Sequence, residues 1–230
     1  MVYHADRAFF KASEDVTNAP ERVLWYEEHR PYVWISTVVA AVGAAWGAAN
    51  VDGDVLFVGV LIGIGGLLYS APLPFTSRRI KDIPFLKTLL IVTCWVVGGV
   101  VLPTMDLIPT QELLLLASYK SMYIFPNVLL AEWVDRSGDT ESGVLTMGAR
   151  MSMNVIRSIT LICVAVSLIL LWNWSSFSPR VDVFSIDVLG MLGMLVVIMR
   201  SKSWDGDQII FLDLWVGFGL VTWAFWMLTS

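Results

Sequence analysis

The sequence predicts an all-α integral membrane protein, a polytopic bundle of about seven transmembrane helices. Three observations predict it. Of 230 residues, 57% are hydrophobic and only 15% are charged, against roughly 25% charged in an ordinary soluble domain. Uncharged stretches recur at 32–51, 55–77, 88–105 and 158–179, each near the ~20 apolar residues that a hydrocarbon core requires. The third observation is charge placement. All 15 basic residues except Lys120 and Arg180 fall on one side of an alternating topology, the pattern that marks a cytoplasmic face. A water-soluble fold would need nearly every helix to be apolar all round.

Residues 1–32 form a polar arm carrying His4, Asp6, Glu14, Asp15, Asn18, Glu21 and Arg22. It lacks the apolar core of a signal peptide, so the first span is expected to act as its own targeting signal. A transmembrane domain follows over 33–230, with spans at 33–50, 55–72, 85–102, 110–131, 153–173, 183–199 and 208–228. Each must be helical, because lipid offers no partner to an open backbone. Pro84 and Pro103 bound the third span, while Lys120 and Asp213 interrupt the fourth and seventh. In the second, Gly59 and Gly63 form a small-xxx-small pair expected to bring two helices close. Without a Lys-Ser/Thr ending, that glycine-rich stretch does not read as a phosphate loop. Cys94 and Cys163 stand alone in apolar runs, so neither a disulfide nor a metal site is expected from them.

The arm and the loops 73–84, 132–152 and 200–207 hold the basic residues, whereas the opposite loops show Asp52, Asp54, Asp106 and Asp182. The N-terminus is therefore expected in the cytoplasm and the C-terminus outside, which agrees with an odd number of spans. Trp25, Tyr26, Tyr32, Trp34, Trp172 and Trp174 suit the two interfacial belts.

Chemistry is expected in the cytoplasmic loops. If the fourth helix continues past its span, Glu132, Asp135 and Asp139 stand at i, i+3 and i+7 on one face. Three such carboxylates repel one another unless a cation lies among them, and magnesium with a diphosphate fits that need. A solvated acidic loop fits the spacing equally well. The loop carrying Arg78, Arg79, Lys81 and Lys87 reads either as a phosphate site or as a topological anchor. Lys120 is costly inside a span and is expected to face a cavity or a partner such as Asp213. It lies roughly 18 Å along the helix from Glu132. Tyr119 and Tyr123 flank it, as an aromatic wall for a lipid tail or carbocation, or as plain packing. His4 reads as a surface residue and His29, beside Arg30, as an interfacial one.

These motifs resemble the UbiA-type intramembrane prenyltransferases. That family's second acidic motif, DxxDxxxD followed by GxxT, is matched by Glu132, Asp135, Asp139, Gly143 and Thr146, with Glu in the first place. Asn127 matches the Asn that often precedes the motif. A family segment of the form YSxPxRxKxxPxxK is matched by Tyr69, Ser70, Pro72, Arg79, Lys81, Pro84 and Lys87, with extra residues between. The end of the first acidic motif, DxxNxPxR, is matched by Asp15, Asn18, Pro20 and Arg22. Its front is replaced by Arg7, Ala8 and Lys11, with Asp6 as the stand-in.

The resemblance implies a UbiA-type helix bundle lacking the usual first two helices. It also implies transfer of an isoprenyl group from its diphosphate to a hydrophobic aromatic or lipid acceptor. Magnesium (Mg2+) would be held by Glu132, Asp135, Asp139, Asp15 and Asp6. Arg79, Lys81, Asn127 and Arg22 would bind diphosphate, and Asp135, Asp139 and Lys120 would be catalytic. Membrane lipids, and a second copy covering the incomplete cavity, are the other expected partners; nucleic acid is not. A bacterial inner membrane is the expected location. The alternatives are a non-catalytic family member that binds lipid or supports an assembly, and a transporter whose ion path uses Lys120 and Asp213.

Overall fold

The computed structural model describes residues 16–17, 20–70, 79–83, 85–144, 146–175 and 181–200. The described residues are helical apart from turns and short connections. In chain order, α1 spans Pro20–Glu28, α2 Arg30–Ala48 and α3 Gly53–Ser70. A 3-10 turn at Ile80–Asp82 leads to α4, which opens as Leu86–Val96. Next come α5 at Thr110–Val134, α6 at Arg136–Glu141 and α7 at Met147–Arg150. The last described elements are α8 at Met153–Ser175 and α9 at Val181–Arg200.

Among the described residues, four helical stretches are long and apolar enough to cross a bilayer: Arg30–Ala48, Leu86–Thr104, Thr110–Val134 and Met153–Asn173. The protein therefore has the architecture of a polytopic helix-bundle membrane protein. The expected sixth span, 183–199, lies within α9. The expected seventh, with Asp213, lies outside the described residues.

The third span corrects one expected boundary. Pro103 does not end it. A π-helical turn at Val97–Val101 carries the chain into a last turn, Leu102–Thr104, that contains the proline. A proline ring clashes with the carbonyl four residues back in a regular α-helix. The wider π turn just before Pro103 is a common way to absorb such an insertion.

At the centre lies α5, which packs against α4, α7 and α8, while α8 in turn packs on α9. The core follows from that arrangement. Val92 and Val96 of α4 meet Tyr119, Tyr123, Ile124, Val128 and Leu130 of α5. Ile156, Val164 and Leu171 of α8 join them, with Met191, Met194 and Ile198 of α9. Outward faces are also apolar. Tyr32, Val39, Val42 and Trp46 on α2 are exposed, as are Ile162, Ile169 and Trp172 on α8. Lipid is the solvent such faces suit.

The Gly59/Gly63 pair does not make the close contact expected of it among the described residues. A Cβ on Gly59 would stand 4.0 Å from Leu102 Cδ1, and one on Gly63 would meet nothing within 4 Å. Thus α3 approaches α4 near Gly59 without the backbone contact that two small residues permit.

Candidate functional site

One end of the bundle collects the chemistry. The chain enters α4 through Phe85, whose φ of 67° is the one positive value among described non-glycine residues. The first turn of α4 then carries Lys87 and Thr88 side by side. Both point at the far end of α5 and the short helices beyond it.

There the condition for a shared face, one helix running through all three carboxylates, is not met. The α5 helix ends at Val134, and Asp135, at ψ −1°, is the joint from which α6 starts. The joint is tight. Asp135 N–H donates to the Ala131 carbonyl at 3.0 Å, and Asp139 N–H donates to the Asp135 carbonyl at 3.0 Å. Glu132 and Asp139 consequently belong to two helices and serve different partners. Glu132, 2% exposed, has both oxygens engaged. Thr88 Oγ1 donates to Oε1 at 2.7 Å, and Gly148 N–H donates to Oε2 at 2.9 Å. Asp139, 1% exposed, faces Lys87, whose Nζ lies 3.5 Å from its Oδ2.

The loop after α6 is shaped by Gly143 and Thr146. Gly143 sits at φ +77°, where a side chain is strained, and turns the chain. Thr146 caps α7 by accepting from Ala149 N–H at 3.2 Å. Its hydroxyl therefore has a structural use here. The α7 helix then lies so close to α5 that a Cβ at Gly148 would come within 2.5 Å of the Leu129 carbonyl oxygen.

The other expected site residues are dispersed. Arg79 turns back on its own loop. Its Nε and Nη2 bond Asp82 Oδ1 at 3.1 and 2.9 Å, and its N–H donates to Asp82 Oδ2 at 2.7 Å. Lys81 lies in that same 3-10 turn and Arg22 in α1. Asn127 is half-buried on α5. Asp6 and Asp15 lie outside the described residues. Lys120, also half-buried, has its Nζ 4.8 Å from the Tyr119 ring centroid and 5.4 Å from that of Tyr123. The two tyrosines are core residues, 0% and 2% exposed. An ammonium set against two aromatic faces is partly compensated for its burial, which explains how the span tolerates it.

Two participants were not singled out from the sequence as site residues. Lys87 was legible as part of the basic loop and as the end of the matching basic segment, with no role of its own assigned. Thr88 is a neutral residue in an apolar run, and nothing in spacing or composition marks it.

Among the described residues, no three of His, Cys, Asp and Glu converge as a set that could hold a metal. The donor chemistry of Asp135 and Asp139 nonetheless suits magnesium. That ion keeps several waters and takes one or two carboxylates, with phosphate oxygens completing its shell. Asp139 faces the Lys87 ammonium, so a cation bound there would compete with that lysine. Comparison with family models, with curated proteins and with solved structures returned no match.

Proposed function

We propose that this chain is an intramembrane prenyltransferase of the UbiA type, moving an isoprenyl group from its diphosphate to a hydrophobic acceptor. The observation that supports it best is the meeting of Lys87, from the basic segment, with Asp139, from the acidic one, at one end of a transmembrane bundle. Fifty-two positions separate the two in sequence, yet both belong to segments that resemble the family's diphosphate-binding motifs.

On this reading Asp135 and Asp139 would hold magnesium, which when bound supplies positive charge to the diphosphate leaving group. Both residues act as anions. Lys81, Arg79, Asn127 and Arg22 contribute hydrogen-bond donors to phosphate oxygens by the same resemblance. Lys120 stands deeper, with Tyr119 and Tyr123, on the side of the prenyl chain and acceptor. The allylic C–O bond breaks, and its electron pair leaves with diphosphate. An electron-rich acceptor atom then forms the new bond and gives up a proton. The protein's share is positioning and fixed charge. The site faces the cytoplasm, in keeping with its basic loops.

The test is magnesium-dependent diphosphate release from farnesyl or geranylgeranyl diphosphate, using membranes that carry the chain and an acceptor-rich lipid extract. Asp135→Asn and Asp139→Asn should each abolish release without loss of membrane insertion. Normal turnover by either purified variant would defeat the mechanism. A second reading, a non-catalytic member that binds lipid or supports an assembly, is favoured by one observation. Arg79 is occupied by Asp82. Magnesium-dependent binding of diphosphate separates the two readings, because a scaffold should bind none.

A further inference from the structure

We infer that Glu132 is a positioning residue: a buried carboxylate clamp that joins α4, α5 and α7 and so sets Lys87 against Asp139. The inference deepens the prenyl-transfer reading by giving Glu132 a task separate from the metal ligation that its place in the acidic motif suggests.

The geometry carries it. Glu132 sits in the last turn of α5 and is 2% exposed. Its two oxygens accept from two other elements, the Thr88 hydroxyl at 2.7 Å and the Gly148 amide at 2.9 Å. Thr88 is itself 0% exposed, so neither group can exchange its partner for water. Leaving such a group unmet costs more than the bond contributes when made. The carboxylate therefore fixes the first turn of α4 and the start of α7 to one point. Lys87 precedes Thr88 directly, so the same anchoring places the Lys87 ammonium 3.5 Å from Asp139. Gly148 completes the clamp. Any side chain there would collide with the Leu129 carbonyl at 2.5 Å and the Trp133 amide at 2.7 Å. Only glycine lets α7 approach closely enough for its amide to reach Oε2.

A clamp and a metal ligand respond differently to Glu132→Gln. Glutamine keeps the shape. Its carbonyl can accept from Gly148 N–H, and its amide can donate to Thr88 Oγ1, since a hydroxyl accepts as well as donates. It removes the negative charge that magnesium needs. The experiment compares Glu132→Gln, Glu132→Ala, Thr88→Val and the Ala/Val double variant in two assays. The first is magnesium-dependent diphosphate release, with the magnesium concentration varied. Glu132→Ala and Thr88→Val should each lower the rate ~10-fold or more, as loss of an outer supporting contact does. Glu132→Gln should restore release to within about threefold of the natural chain, a difference the size of one ordinary hydrogen bond. Its half-saturating magnesium should not move. A Glu132→Gln chain as inactive as Asp139→Asn, or one needing tenfold more magnesium, would overturn the proposal and make Glu132 a ligand.

The second assay is thermal unfolding in detergent, which needs no activity. Glu132→Ala and Thr88→Val should each lower the midpoint by roughly 5 °C, and the double variant by little more than the worse single one. Strictly additive losses, or an unshifted Glu132→Ala, would remove the clamp. If the natural chain itself releases no diphosphate, the prenyl-transfer reading fails, and the unfolding data still decide the clamp.

Discussion

Replacing Gly148 by alanine adds one methyl group to a place with no room for it. The new Cβ would lie 2.5 Å from the Leu129 carbonyl oxygen, 2.6 Å from Glu132 Cβ and 2.7 Å from the Trp133 amide nitrogen. Two of these are backbone atoms of α5, so no side-chain rotation relieves the contact. Ordinary contact begins near 3.4 Å, so α7 must retreat by about 0.9 Å in an interior packed like a crystal. A retreat of that size stretches the 2.9 Å bond from Gly148 N–H to Glu132 past useful length. Overpacking costs about 1–3 kcal/mol, and a buried amide and carboxylate oxygen left unmet cost about as much again. The sum, about 2–6 kcal/mol, corresponds to a midpoint lowered by roughly 5–20 °C for a chain of this size. Thermal unfolding of purified protein in detergent, followed by tryptophan fluorescence, measures it. Gly43→Ala is the internal standard. It lies in α2, where a Cβ would meet nothing within 4 Å, so it should be neutral or stabilising by about 0.5–1 kcal/mol. Equal stability of Gly148→Ala and Gly43→Ala would refute the close approach of α7 to α5 and the clamp built on it.

Other substitutions sort the remaining contacts. Lys87→Met removes the ammonium from beside the Asp139 carboxylate, which is 2% exposed at its side chain. It should cost about 3 kcal/mol, with much of that recovered in Lys87→Met/Asp139→Leu, as denaturant titration would show. Gly143→Ala, at φ +77° with open space around it, should lose about 1 kcal/mol from backbone strain alone; a neutral result in the same titration would mean that the turn is not left-handed. Ser167 is fully buried on α8 and its hydroxyl makes no hydrogen bond among the described residues. Ser167→Ala should therefore leave the unfolding midpoint unchanged or raise it, and a clear drop would reveal a partner for that hydroxyl.

Much of the fold was legible because lipid is a simple solvent. An uncharged run of sufficient length has no stable alternative to helix, and α2, α4, α5 and α8 fall where the apolar runs place them. The misread boundary at Pro103 has a local cause. Proline forbids the regular α-helical hydrogen bond, but a π turn lets the helix continue past it. The anomaly of Lys120 was legible as a charge in an apolar run. Its place beside Tyr123 follows from the i, i+3 neighbourhood on one helix, whereas Tyr119 is its immediate neighbour in sequence and that contact is not given by helical spacing.

The acidic segment shows where such reading ends. Spacing at i, i+3 and i+7 reports a shared face only while one helix runs through all three residues. The chain breaks at Asp135 without a proline or glycine at that position. Glu132 is thereby left on α5, directed at Thr88 and Gly148, while α6 carries Asp139 to Lys87. Each of those contacts joins segments well separated along the chain. Periodicity, which describes one element at a time, carries no information about them. Thr88 and Gly148 are neutral residues that become significant only through what they touch. The motif's carboxylates thus divide into two physical classes. The division follows from partners, since both are almost fully buried: a carboxylate with both oxygens met by other elements can hold helices together, and one facing a lysine ammonium retains a place for charge to be exchanged. If Asp139 belongs to the second class, Lys87 and a bound cation compete for it. Magnesium should then bind the Lys87→Met chain more tightly than the natural one in the absence of diphosphate, by calorimetry in detergent. Equal affinity would mean that Lys87 does not occupy the cation's place.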